Sequence, residues 1–161
     1  MLKKNNNIFL IFILFIVSAV LISAFIIQYG LGYSPCKLCL YERIPYILSI
    51  FLILKTLFFK KYRKITLFIL SLVFIASAAL SFYHFGIEQG FFSELNICGA
   101  NSFSNTLTKT EILEQLNRTA VSCKNVDFSI LGLSLASINS ILSLVLSAIF
   151  IKLFFNYEKN K

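Results

Sequence analysis

The stretch SPCKLCLYERIPY, residues 34–46, places two cysteines and an arginine at the point where a long apolar segment ends. The run before it, residues 8–27, contains no charged residue, and two further long apolar runs follow at residues 65–85 and 128–151. A helix needs about 20 residues to cross a hydrocarbon core of about 30 Å, and each run is long enough to do so. Because backbone polar groups find no water in lipid, these runs are predicted to be membrane-spanning helices.

A shorter run, residues 44–59, is the fourth candidate span, and Lys55 lies within it. As a helix it extends only about 24 Å, so the bilayer must thin slightly and Lys55 must reach toward the head groups. A surface helix is the alternative for so short a run. The charge distribution favours a span, because a three-span chain would place one of the basic clusters on the outer side.

The charges divide unequally between the two sides of a four-span chain. Lys and Arg number 15 against 7 Asp and Glu, which makes a net charge of +8. The side that holds both termini and the turn at residues 60–64 carries +9, and the other side carries −1. The positive-inside rule makes the basic side cytoplasmic, so both termini are expected in the cytoplasm. The asymmetry favours a lipid bilayer over nucleic acid as the partner of the basic residues.

The predicted architecture is an all-α, four-helix transmembrane bundle that forms a single domain. Its spans are expected at about 8–29, 44–59, 65–85 and 128–152, with outer loops at about 30–43 and 86–127. In the long loop, residues 108–118 are predicted to form a short amphipathic helix, because Thr108 and Glu111 fit a capping box. A cleaved signal peptide is a less favoured interpretation of the first run. That run has about 20 residues, whereas the apolar core of a signal peptide usually has about 7–15.

All four cysteines fall on the outer side of this topology, and none lies within an apolar run. Cys36 and Cys39 form a Cys-x-x-Cys pair, and Cys98 and Cys123 lie in the long loop. Two structural disulfides remain an open interpretation, although so small a ring constrains the unfolded chain little. A zinc site is disfavoured, because Cys98 and Cys123 lack the close spacing of a second ligand pair, and no metal is expected. A short-range redox dithiol is favoured.

The residues around the pair suggest how it would work. Pro35 ends the first helix and Pro45 suits the first turn of the second, so the pair is expected in a tight link at the bilayer boundary. Arg43 is a candidate to hold Cys39 as a thiolate, or to donate hydrogen bonds to a carbonyl oxygen of a membrane-dissolved molecule. Pairing with Glu42 or with lipid phosphate is the structural alternative for Arg43.

The chain resembles the DsbB family, the bacterial inner-membrane disulfide bond formation proteins. The resemblance rests on PCKLCLYER at residues 35–43, on the second outer cysteine pair, and on FSILGLSLASIN at residues 128–139, and it covers nearly the whole chain. It implies a multi-pass protein of the bacterial inner membrane whose active cysteines face the periplasm. It also implies an enzyme that reoxidises a periplasmic DsbA-like dithiol protein and passes the electrons to a membrane quinone, ubiquinone or menaquinone.

The resemblance also implies roles for individual residues. Cys98 would form the mixed disulfide with the DsbA-like partner, and Cys123 would be the disulfide partner of Cys98. Electrons would then move to Cys36 and Cys39, with Cys39 facing the quinone. Arg43 would help to bind the quinone, and His84 in YHFGIEQG would lie near it, by position at the outer end of the third span.

Two other functions remain to be distinguished. A non-catalytic membrane scaffold with two structural disulfides would have the same four cysteines. A quinone reductase similar to the vitamin K epoxide reductase family would also have four spans, but its quinone-side Cys-x-x-Cys lies late in the chain. Here that pair follows the first span, which disfavours this second alternative.

Overall fold

A computed structural model describes residues 2–93, 123, 129–130 and 132–159 of the chain. Its main elements are four long helices and one small hairpin. The helices are α1 at Leu2–Phe25, α2 at Lys37–Phe58, α3 at Arg63–Glu88 and α4 at Leu135–Lys159. A π-helical turn, Ile26–Gly30, extends α1, a 3-10 turn, Lys60–Tyr62, precedes α3, and the two-residue strands β1 (Ser129–Ile130) and β2 (Leu133–Ser134) precede α4.

The second helix begins earlier than the sequence pattern indicates. Cys36 is its N-cap, with an extended backbone and a sulfur that accepts a hydrogen bond from the backbone N–H of Cys39. Pro45 therefore lies inside the helix, and the prediction that it occupies the first turn is wrong. A cap at Cys36 satisfies an N–H group that the helix leaves free, which allows α2 to begin at the Cys-x-x-Cys itself.

The fourth helix begins later than the apolar run does. The expected start near residue 128 is wrong, because β1 and β2 pair antiparallel there, with Ser129 opposite Ser134. Gly132 has a φ of +81°, a conformation that favours glycine in the tight connection. The Ser134 hydroxyl accepts a hydrogen bond from the Ser137 N–H at 3.2 Å, which is the contact of a helix N-cap.

All four helices contribute to one buried core. Its members include Ile13 of α1, Ile53 of α2, Phe74 of α3 and Phe150 of α4. The Phe74 ring stacks on Phe150 with centroids 5.5 Å apart and meets the Tyr46 ring edge-on at 5.8 Å. The helix α2 is therefore an integral member of the bundle.

Contacts at the two ends show that neighbouring helices run in opposite directions. At one end, the basic end, Arg63 at the start of α3 donates to Asn7 of α1 at 2.7 Å and lies near Tyr157 of α4. At the other end, the cysteine end, Asn139 near the start of α4 donates to Ser81 near the end of α3 at 2.7 Å. The start of α3 thus meets the end of α4, and the end of α3 meets the start of α4.

Three of the described helices are long and apolar enough to cross a membrane, judged by length and composition: Asn7–Gly30, Arg63–Glu88 and Leu135–Tyr157. Large apolar side chains cover the outside of the bundle; Phe15, Phe51 and Phe82 are 73%, 67% and 61% exposed. An exposed apolar surface on this scale is what a lipid environment accommodates. Most of the outer loop predicted at residues 86–127, with its amphipathic helix at 108–118 and Cys98, lies outside the described residues.

Replacing Phe74 tests the importance of the aromatic core. In a soluble core a Phe→Ala change costs about 3–5 kcal/mol, and part of that is transfer from water, which does not apply between helices in lipid. We expect Phe74→Ala to lose the part of this free energy that comes from packing. The protein should then unfold at a lower SDS concentration in mixed micelles. The control is Phe82→Ala on the lipid-facing side of the same helix, and an equal effect of both changes would contradict this assignment.

Candidate functional site

A pair of free thiols lies at the N-terminus of α2. Cys36 is 6% exposed and Cys39 is partly buried, and neither takes part in a disulfide. Their sulfurs are 2.7 Å apart, and the Cys39 N–H also donates to the Cys36 sulfur at 3.2 Å. One helical turn brings the two sulfurs together, because residues three apart lie on the same face of a helix.

His84 and Glu42 continue this pair into the bundle. The Nε2 atom of His84 on α3 is 3.5 Å from the Cys36 sulfur, and its Nδ1 atom is 2.8 Å from Oε1 of Glu42 on α2. The side chains of His84 and Glu42 are only 3% and 9% exposed. A carboxylate on one ring nitrogen fixes the tautomer and the orientation of the imidazole, so the other nitrogen is directed at the thiol.

Asn139 of α4 completes the pairing of the buried carboxylate. Its Nδ2 donates to Oε2 of Glu42 at 2.9 Å and to the Ser81 hydroxyl at 2.7 Å, while the Tyr46 hydroxyl donates to its Oδ1. The two oxygens of Glu42 are therefore each hydrogen-bonded, which a buried carboxylate requires. From the sequence, Glu42 was considered only as a partner of Arg43. Asn139 lies within the apolar run at residues 128–151, where a polar side chain able to hydrogen-bond to another helix is itself a signal.

Arg43 is held by the end of the first helix. Its guanidinium donates to the Gln28 side chain in the π-helical turn and to the Ala24 carbonyl at 3.4 Å, and it lies over the Phe25 ring at 5.1 Å. Its neighbour Glu42 is engaged by His84 instead. These contacts hold Arg43 toward α1, in a different environment from the Cys39 pairing that the sequence suggested.

A cavity of about 290 Å³ adjoins the thiols. Apolar side chains from α1 and α4 form much of its wall, and Cys36, Cys39, Arg43 and His84 line it as well. Its size is close to the lower limit of small-molecule sites, which run from about 300 to 1,000 Å³. An apolar wall with a few convergent polar groups is the general pattern of a ligand-binding pocket.

Cys123 belongs to the packing cluster around the same pair. It is 1% exposed, and it packs in one small cluster with Cys36, Leu38 and Ile87. Cys123 is disulfide-bonded, whereas Cys36 and Cys39 are free, so neither of them is its partner. A disulfide-bonded cysteine and a dithiol therefore lie in one buried cluster, while Cys98 lies outside the described residues.

The environment favours a thiolate at Cys36. The hydrogen bond from the Cys39 thiol lowers the pKa of Cys36 from 9.0 to about 5, burial opposes this shift, and the hydrogen bond and charge of His84 add to it. The same contact raises the pKa of Cys39, and burial raises it further. The pair thus retains one proton, held mainly on Cys39, over a wide range of pH.

The apolar bundle and its buried dithiol define a multi-pass membrane protein with a thiol–disulfide site. The chain matches the family described as disulfide bond formation protein DsbB over residues 6–153, and it belongs to that family. The resemblance noted in the sequence is therefore confirmed, and the protein is an oxidoreductase of membrane disulfide-bond formation.

A relative extends the match to the whole chain. An uncharacterized protein of Rickettsia prowazekii (strain Madrid E) is 30% identical over 162 residues, an alignment that covers 99% of this chain and 94% of the relative. No solved structure matches the chain.

The lowered pKa predicts how alkylation of the reduced thiols depends on pH. Cys36 is a thiolate above about pH 5. The rate of its reaction with N-ethylmaleimide, corrected for the reagent by the rate of a fully ionised model thiolate at the same pH, should therefore already be constant at pH 6–7. The alkylation rate of an ordinary thiol rises about tenfold per pH unit until the pH reaches its pKa, near 8.5. Mass spectrometry then identifies the labelled residue.

His84→Gln serves as the comparison for this experiment. Because it removes the charge of the ring, the substitution should move the rise in rate at Cys36 to higher pH. A rate at Cys36 that climbs through pH 8–9 in the unmodified protein, or labelling that favours Cys39, would contradict the assignment.

Proposed function

We propose that the protein is a quinone-dependent thiol oxidase of the bacterial inner membrane, which reoxidises a periplasmic DsbA-like dithiol protein. One observation carries the proposal: the Cys36–Cys39 pair has a buried disulfide-bonded cysteine in its own packing cluster and an apolar cavity beside it. A dithiol with these two neighbours has a thiol route on one side and room for an apolar electron acceptor on the other.

The thiol route begins at Cys98 and Cys123. A thiolate of the DsbA-like partner attacks Cys98 in a Cys98–Cys123 disulfide, forms a mixed disulfide and releases Cys123 as a thiolate. The second thiol of the partner then attacks its own mixed disulfide and frees Cys98. The partner loses two electrons as its disulfide forms, and the loop pair gains both.

The second exchange transfers the same two electrons to the Cys-x-x-Cys. The Cys123 thiolate attacks Cys36 in a Cys36–Cys39 disulfide, which creates a Cys36–Cys123 bond and releases Cys39. Cys98 then attacks Cys123, restores the loop disulfide and releases Cys36. The shared cluster of Cys36 and Cys123 supports this pairing, and His84 beside Cys36 stabilises the departing thiolate.

The residues around the cavity suit a quinone. When bound, a quinone supplies an acceptor for two electrons and two protons. The apolar wall would hold the ring and the beginning of its tail, while the N–H groups of Arg43 and His84 would donate to its carbonyl oxygens. Cys39, which lines the same cavity and is less buried than Cys36, is the thiol we assign to the quinone side.

Charge supports the orientation of the protein in the membrane. The basic end of the bundle holds Arg63 and both ends of the described chain, and the thiols lie at the opposite end. By the positive-inside rule the basic end faces the cytoplasm and the cysteines face the periplasm. The core packing of α2 supports four crossings, with residues 31–36 and 59–62 as the short turns that join α2 to its neighbours.

An assay with purified components tests the oxidase. Full-length protein in detergent is mixed with a reduced DsbA-like protein and a soluble ubiquinone analogue, and quinone absorbance is followed. We expect one quinone reduced for each disulfide formed, and no reaction with Cys39→Ser. An unmodified protein that consumes no quinone while its thiols stay inert would contradict the oxidase and favour a structural scaffold.

The same assay tests how Glu42 positions His84. Glu42→Gln should slow the reaction by about 10²-fold, the lower end of acid–base contributions, and shift its pH profile to higher pH. The shift is expected because a misdirected ring no longer stabilises the Cys36 thiolate. Lys37→Gln, an exposed position on the same helix, should keep the normal rate and profile.

Labelling from each face tests the crossing of α2. In a chain without other cysteines, Ser34→Cys and Lys61→Cys place exposed thiols in the two turns that flank this helix. A membrane-impermeant maleimide should label the first in intact spheroplasts and the second only after lysis. Labelling of both from the same face would show that α2 does not cross.

A further inference from the structure

Three metal-ligand side chains converge at the thiol pair. Cys36, Cys39 and His84 each offer one donor atom, and the three atoms lie within 4.8 Å of one another. Two thiolates and an imidazole are preferred ligands of Zn²⁺. The donor set differs from the four-cysteine zinc site that the sequence spacing disfavours, because it takes its third ligand from another helix.

The distances are close to those of a tetrahedral site. Zn–S bonds of about 2.3 Å and Zn–N bonds of about 2.0 Å place sulfur and nitrogen roughly 3.5 Å apart, and two sulfurs roughly 3.8 Å apart. The Cys36 sulfur is 3.5 Å from Nε2 of His84, whereas the two sulfurs are 2.7 Å apart. The sulfurs therefore need to separate by about 1 Å, which a side-chain rotation of the less buried Cys39 provides.

Glu88 supplies a second, independent observation. Its Oε2 atom is buried and has no hydrogen-bond partner, and its side chain is 7% exposed. Its Oε1 atom lies 3.8 Å from Nε2 of His84, and Glu88 lines the same cavity as the thiols. An unpaired buried carboxylate oxygen is costly. The Glu88 oxygens lie outside the group of donor atoms within 4.8 Å of one another, so the Glu88 side chain would rotate toward an ion at the thiols, and that contact would remove the cost.

Glu42 orients the histidine as metal sites require. Ligating histidines nearly always donate their other ring N–H to a carboxylate or a carbonyl, and His84 has this contact through Nδ1 with Glu42 at 2.8 Å. Its Nε2 is thereby directed at the thiols, with its lone pair available once the ring is neutral. The Glu42 carboxylate, His84 and Cys36 are thus in place before any ion binds, and the side chains of Cys39 and Glu88 have to rotate.

We propose that the reduced protein binds one Zn²⁺ ion through Cys36, Cys39 and His84, with Glu88 as the fourth ligand. Binding forms two Zn–thiolate bonds and one Zn–imidazole bond, releases the remaining thiol proton and the Nε2 proton of His84 to solvent, and changes the oxidation state of no atom. A Cys36–Cys39 disulfide removes both thiolate ligands, so the ion is retained only by the reduced pair. The ion in turn blocks reoxidation of the pair. This site goes beyond the proposed oxidase, because metal binding requires neither quinone nor a protein partner.

Cobalt binding tests the site directly. The full-length chain carries Cys98→Ser and Cys123→Ser, so that Cys36 and Cys39 are its only thiols, and it is reduced in detergent and freed of reductant. Titration with Co²⁺ should give one ion per chain, with thiolate charge-transfer absorption and the intense visible bands of tetrahedral cobalt. Zn²⁺ should displace the cobalt, and both thiols should be protected from dithionitrobenzoate until a chelator is added. The oxidised chain should give neither signal.

Three substitutions distinguish a built site from a simple dithiol. Glu42→Gln should weaken Co²⁺ binding about 10–100-fold, as is usual for loss of a carboxylate behind a ligating histidine. Glu88→Gln and His84→Ala should also weaken binding while the thiolate bands persist, and Gln89→Ala, exposed beside Glu88, is the control that should bind normally.

Two results would overturn the proposal. The first is the absence of thiolate–cobalt bands in the reduced chain. The second is an affinity that neither His84→Ala nor Glu88→Gln changes, which would mean that a bare dithiol binds the ion adventitiously. Circular dichroism of each variant checks folding, and if His84→Ala is misfolded, Glu88→Gln decides alone. Because quinone takes no part, the result does not depend on whether the protein is an oxidase.

Discussion

The hydrogen bond between Glu42 and His84 is the contact on which the cysteine end of the bundle depends. A carboxylate and an imidazole are buried there at 2.8 Å separation, in surroundings where an unpaired charge would be strongly destabilising. Each partner is satisfied from another helix: Asn139 of α4 pairs with the second oxygen of Glu42, and Cys36 at the start of α2 contacts the second nitrogen of His84. Three helices are thereby aligned by one polar network, whose members specify one arrangement because any other leaves a buried group unpaired.

The same network determines which group controls the thiol pair. Arg43 is the nearest cation along the chain, but its guanidinium is held by Gln28, Ala24 and the Phe25 ring of the first helix. The imidazole of His84 occupies the position beside Cys36 instead. The helix N-terminus acts in the same direction, because its free N–H groups favour a negative charge and the Cys39 N–H contacts the Cys36 sulfur. Arg43 also lines the cavity, where the N–H groups that these contacts do not use suit an oxygen-bearing ligand.

The location of the dithiol explains how one pair can serve several chemical states. Cys36 shares a buried cluster with Cys123 and also lines a cavity with Arg43 and His84. Under the proposed functions, a sulfur in this position exchanges with a disulfide, releases electrons to a ligand in the cavity, or binds a metal ion when reduced. These states exclude one another, because each uses the same lone pairs of Cys36 and Cys39. Competition between them follows from the chemistry of the two sulfurs.

Much of the architecture was predictable from the sequence, since it depends on neighbours along the chain. Apolar run lengths identified the long helices, and the spacing of Cys36 and Cys39 indicated a redox dithiol. The motifs at residues 35–43 and 128–139, with the second cysteine pair, gave the resemblance to the DsbB family. The starts of α2 and α4 were misjudged, because a cysteine cap and a two-residue hairpin leave little trace in hydropathy. Only the tertiary structure decided that Glu42 pairs with His84, that Asn139 joins them and that Cys123 packs beside Cys36. The partners in those contacts are separated by 42 to 97 positions along the chain. The packing of the helices brings them together, and local sequence spacing does not encode that packing.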